Sequence, residues 1–132
     1  MENIYKSKSG LQRIWRASIY SVAGFRAALK HEYAFRQELF LCAALLPVAL
    51  LLPLVALERA ILIASLLLVL VVELLNSAIE AIVDRVSLEN HDLSKRAKDL
   101  GSAAVFISLM MAAITWILVA GPALATLVYK LL

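Results

Sequence analysis

The sequence predicts an all-α integral membrane protein, with three transmembrane helices and an N-terminal amphipathic surface helix in each chain. Three observations lead there. Hydrophobic residues make up 63% of the 132 residues and charged ones only 17%, with a mean hydropathy of +0.87, well outside the usual composition of water-soluble domains. Apolar runs recur at lengths that can cross a bilayer. Four glycines, three prolines and no internal repeat leave no sign of a linker, so a single domain over residues 1–132 is expected.

The first element is a helix expected over about residues 9–33. Ser9 and Gln12 form a capping-box pair, and Leu11, Ile14, Trp15, Val22, Phe25 and Leu29 recur at roughly helical spacing. Arg13, Arg16, Tyr20, Arg26 and Lys30 supply its polar side, the pattern of a helix lying among lipid headgroups. The basic start MENIYKSKSG runs into this charged segment, not into an apolar stretch with a cleavage site, so no cleaved signal peptide is expected.

The spans are expected at about residues 34–52, 59–85 and 92–120. Leu39–Leu57 carries no charge, Pro47 should kink the first span and Pro53 should end it. Glu58 and Arg59 should form a short connection to the second span. Gly121 and Pro122 should stop the third, with Trp116 and Tyr129 as interfacial anchors. Lys6, Lys8, Arg13, Arg16, Arg26, Lys30 and Arg36 precede the first span, and Arg85, Lys95, Arg96 and Lys98 follow the second. Only Arg59 and Lys130 mark the opposite ends, so the N-terminus should be cytoplasmic and the C-terminus outside.

The stretch ELLNSAIEAIVDRVSLENHDLSKRAKD, Glu73–Asp99, is the most informative part of the chain. At about 100° of rotation per residue, Glu73, Asn76, Ser77, Glu80 and Asp84 fall on one helix face amid Leu, Ile, Val and Ala. An acid at mid-bilayer costs roughly 2.5–3.5 kcal/mol on insertion scales, so Glu73 requires a partner or a task. Asp84 should lie about 16 Å further along the axis, so the face climbs from bilayer centre to cytoplasmic interface. Two readings stand for Asn76, a support for the acid and a plain interhelical hydrogen bond. Glu80, Asp84, Glu32 and Glu38 also suit an ordinary polar interface, and His91 a solvated loop. Lys98 is more pointed, because a cation in the first turns of a helix opposes the helix dipole. Converging carboxylates near a phosphate call for a hard divalent cation.

Several classes are excluded. Cys42 stands alone, so there is neither a disulfide framework nor a cysteine metal site. Gly10, Gly24, Gly101 and Gly121 are isolated, so no Walker A or other glycine-rich phosphate loop exists. No nucleic-acid motif is present.

ELLNSAIEAIVDR, followed by ENHDLSKRAKDLGSAAV and preceded by AFRQE, closely resembles the bacterial integral-membrane diacylglycerol kinase family over about residues 10 to 120. The resemblance implies a homotrimeric bundle in the bacterial inner membrane that moves the γ-phosphate of MgATP to a membrane lipid alcohol, giving phosphatidate from 1,2-diacylglycerol. It implies Glu73 as general base supported by Asn76, and Glu32 with Glu80 as the carboxylates holding Mg²⁺. Nucleotide-binding positions implied in the same way are Arg13, Tyr20, Glu32, Glu80, Glu89, Asn90, His91, Lys98 and Asp99. Arg13, Arg26, Arg36, Gln37, Glu38, Glu73, Ser102 and Trp116 match positions near the lipid. The loop departs from the best-known members at Asn90, Asp92 and Lys95. Two rival readings remain at this point, an undecaprenol kinase of the same family and a non-enzymatic cation-binding membrane protein.

Overall fold

The computed structural model describes residues 10–86, 89 and 91–132. Four helices follow in order: α1 (Gly10–His31), α2 (Tyr33–Leu51), α3 (Ala56–Val86) and α4 (Asp92–Leu131). There is no strand among the described residues. The last three are long and apolar enough to cross a membrane. The expected Ser9 cap of α1 lies outside the described residues, and α1 itself buries only Ala28.

A single residue separates α1 from α2. Glu32 is extended, with φ −103° and ψ 109°, yet its N–H still donates to Ala28 O at 2.9 Å. The helical ladder is therefore broken at one point, and Glu32 forms an elbow. Arg36 secures it by donating from Nη1 to Leu29 O at 3.0 Å and Lys30 O at 3.3 Å, which satisfies carbonyls left open at the end of α1. Its guanidinium also sits 5.5 Å from the centre of the Tyr33 ring.

α2 stays helical through Pro47 and ends before Pro53. The turn that follows is held by Arg59, which donates to Ala49 O, Leu52 O and Leu54 O at 3.1, 3.2 and 3.4 Å. Glu58 accepts from Val55 N at 3.1 Å. These bonds draw Glu58 and Arg59 into the first turns of α3, where the sequence suggested a connection.

α3 is the central helix, packed against both α2 and α4. Leu62, Leu66, Val69, Glu73, Asn76 and Ser77 are its buried residues, alternating at three- and four-residue intervals apart from the adjacent last pair. The matching side of α4 is built from small residues, Gly101, Ser108, Ala112 and Ala120, which allow close backbone approach. Near the start of α3, Ala49, Leu52, Leu62 and Ala120 form a compact apolar cluster.

The fourth helix corrects one expectation. Gly121 and Pro122 do not stop it, since helix continues to Leu131. A glycine terminates a helix by adopting a left-handed backbone, and no glycine among the described residues does so. Pro122 removes one backbone donor, a loss that apolar helices tolerate when neighbouring groups adjust. Thr126 Oγ1 donates back to Pro122 O at 2.9 Å.

Candidate active site

The acidic face of α3 is buried where it meets its neighbours. Glu73 is 4% exposed and Asn76 8%. Asn76 Nδ2 donates to Glu80 Oε1 at 3.3 Å, linking two successive turns. Its Oδ1 is buried without a hydrogen-bond partner and lies against Gly101 of α4, where an added Cβ would collide with it. Only glycine at that position admits the amide, and α4 thereby sets its place.

Carboxylates from other elements join this face. Glu38 of α2 is also buried, and its Oε2 has no partner. Glu38 senses the negative charge of Glu73, which in turn senses Glu80 and Glu32. The elbow residue, one turn and a half of α2 and two turns of α3 thus place four acids near enough for their charges to act on one another. Buried acids gathered this way require a compensating cation or proton.

Beside them runs a cleft of about 570 Å³ between α1 and α3, lined by Ser21, Phe25, His31, Glu32, Leu74 and Ser77, among others. Its walls are mostly apolar, with polar groups at isolated points. The Ser77 hydroxyl is buried and unpartnered. Toward the α3–α4 loop, Lys98 Nζ of α4 pairs with Asp84 Oδ1 of α3 at 2.5 Å.

The donor set suits a hard cation. The cluster offers carboxylate oxygens, and both Asn76 Oδ1 and Glu38 Oε2 are buried oxygens without partners. Among the described residues no three His, Cys, Asp or Glu side chains meet around one point. A hard cation held here would therefore need further ligands from outside these side chains, such as phosphate and water.

The other expected site residues are placed less uniformly. Arg13, Tyr20 and Arg26 are exposed on α1, Gln37 on α2, and Asp99 and Ser102 on α4. Glu89 is exposed, while Asn90 lies outside the described residues. His91 accepts from Leu93 N at 3.2 Å through Nδ1 and so caps α4. Trp116 packs on the Ala49–Leu62 cluster, with its indole N–H buried and unpartnered. Leu62 of that cluster is about 16 Å from Glu73 along α3, so Trp116 is not among the acids. Sequence reasoning missed the part played by Gly101, and it placed Ser77 on the acidic face without giving it a role. A glycine inside an apolar helix is the signal that pointed to Gly101.

Known proteins match this chain closely. The family model described as prokaryotic diacylglycerol kinase matches residues 19–120. A Pseudomonas aeruginosa protein named diacylglycerol kinase is 58% identical over 112 residues, 85% of this chain and 91% of its own. Proteins of the same name from Escherichia coli K12 and Haemophilus influenzae are 51% and 46% identical, covering 82% and 86% of this chain and 88% and 95% of theirs. The match takes in the Glu32 elbow, the whole acidic face of α3 and the start of α4 with Lys98, and by it the chain belongs to the prokaryotic diacylglycerol kinase family.

Proposed function

We propose that this protein is an ATP-dependent lipid kinase that transfers the γ-phosphate of MgATP to the hydroxyl of 1,2-diacylglycerol, giving phosphatidate. The observation that carries the reading is the buried Glu73, held among Glu32, Glu38 and Glu80 beside an apolar cleft. A lipid alcohol has an apolar body and one reactive hydroxyl, and such a cleft next to a base receives both parts.

In this mechanism Glu73 accepts the proton of the lipid hydroxyl as the hydroxyl oxygen bonds to the γ-phosphorus and the bond from that phosphorus to the β–γ bridging oxygen breaks, with ADP as the leaving group. Burial in an apolar helix pair keeps water from competing as acceptor. Glu32 and Glu80 would hold Mg²⁺, which when bound would supply positive charge to offset that of the phosphate oxygens. Asn76 fixes Glu80 through its 3.3 Å hydrogen bond and is itself fixed by Gly101. Lys98 meets the phosphates from α4 as a cation. Arg13, Tyr20, Asp99 and the Glu89–His91 loop border the nucleotide on the cytoplasmic side.

The enzyme functions as a homotrimer in the inner membrane, with its N-terminus cytoplasmic and α1 lying among the headgroups. The many large apolar side chains a single chain exposes leave helix faces free for assembly with other copies, which supports sites shared between them. Purified protein in detergent micelles with γ-labelled ATP and Mg²⁺ should phosphorylate diacylglycerol ahead of undecaprenol. Preference for undecaprenol would move the chain to a polyprenol substrate, and no transfer to any lipid alcohol would refute the kinase reading.

A further inference from the structure

We propose that Asp84 is a positioning residue for the kinase reaction, holding the Lys98 ammonium where it meets the nucleotide phosphates; this rests on the phosphate-binding role of Lys98 proposed above. Asp84 stands one helical turn beyond Glu80 on the same face of α3, and Lys98 lies near the start of α4 across the helix crossing. Their side chains touch at 2.5 Å as an ion pair.

The pair is poorly suited to a purely structural task. Lys98 and Asp84 are 41% and 52% exposed, and an ion pair so open to water adds little to folding stability. What the contact does achieve is geometric. Lysine has four rotatable side-chain bonds, and an unrestrained ammonium at this height would sample bulk water. Tied to Asp84, it is confined beside Glu80, whose charge it also senses.

An ammonium carries three donors, so one bond to Asp84 leaves two for phosphate oxygens. Part of the ordering then precedes the nucleotide, which lowers the cost of binding and of reaching the transition state. The arrangement crosses from α3 to α4, so Asp84 couples the acid-bearing helix to the cation-bearing one.

A double-mutant cycle tests this with Asp84→Asn, Lys98→Met and the combination in the full-length protein in micelles. Asp84→Asn should lower kcat/KM for MgATP by about 5–10-fold, leave the KM for lipid unchanged and leave thermal unfolding nearly unchanged. In the Lys98→Met background the same substitution should change kcat/KM by less than about 2-fold. Binding of the non-hydrolysable analogue AMPPCP with Mg²⁺, measured on all four proteins, gives the same comparison when turnover is too low to read. Asp84→Glu, which keeps the charge, should recover most of the loss. Equal losses in both backgrounds would overturn the proposal, as would full activity of Asp84→Asn. Lys98→Met with normal kinetics would instead remove the phosphate role of Lys98 itself, whereas a crippled Lys98→Met beside a neutral Asp84→Asn would remove only the role of Asp84.

Discussion

Adding one methyl group at Gly101 should disturb the active site from the opposite helix. The Cβ of Gly101→Ala falls onto Asn76 Oδ1, with Asn76 Cγ at 3.2 Å and Cβ at 3.8 Å, so the amide must turn away. Overpacking a tight core costs about 1–3 kcal/mol. Turning the amide also breaks the 3.3 Å bond to Glu80, a loss of about 0.5–1.5 kcal/mol. Against these, alanine is better than glycine inside a helix by about 1 kcal/mol. The net expectation is destabilisation of about 0.5–3.5 kcal/mol, with a fall in kcat of roughly tenfold or more because Glu80 loses its anchor. Thermal unfolding in micelles and steady-state kinetics on one preparation measure both. A second substitution isolates the cause: in an Asn76→Ala background the methyl group has room, so Gly101→Ala should be neutral or stabilising there. Wild-type stability and turnover in the single variant Gly101→Ala would refute the packing argument, as would an equal loss in the Asn76→Ala background.

Two further predictions concern the metal and the topology. Glu80→Gln replaces an anionic oxygen ligand by a weaker neutral one, so it should raise the Mg²⁺ concentration needed for half-maximal activity; an unchanged metal dependence at lower rate would reassign Glu80. Single cysteines at Ser94 and Thr126, placed in a Cys42→Ala background, should react with an impermeant thiol reagent from opposite sides of sealed vesicles, and labelling from one side only would sink the three-span arrangement.

Periodicity carried a great deal of this protein. A helical repeat set Glu73, Asn76 and Ser77 on one face, and those residues are buried side by side on α3. Lengths of apolar sequence located three helices able to span a membrane. What periodicity does not contain is the meeting of separate elements. The one-residue elbow at Glu32 depends on Arg36 reaching back to the carbonyls of α1, a tertiary choice for a side chain first associated with lipid. His91, expected at the nucleotide, caps α4 through a bond to its own neighbour's N–H. The proximity of Gly101 to Asn76, and of Lys98 to Asp84, follows from how α3 and α4 cross, which neither helix encodes alone. Pro122 misled for a different reason: stop signals are calibrated on helices ending in water, and an apolar helix lacks that competing solvent.

Glu73→Gln tests the central claim most directly, because the catalytic and structural readings of this buried acid diverge on one number. Glutamine keeps the shape and most of the hydrogen-bonding capacity of a carboxylic acid, and it removes any cost of a charge at this depth. The folded protein should therefore remain as stable or become slightly more so, and AMPPCP–Mg²⁺ binding should survive. A glutamine amide cannot take the proton of the lipid hydroxyl. General-base catalysis is typically worth about 10²–10⁴-fold, so kcat at saturating MgATP and diacylglycerol should fall by that order. If Glu73→Gln folds, binds nucleotide and turns over at close to the wild-type rate, Glu73 is interhelical glue and the base lies elsewhere.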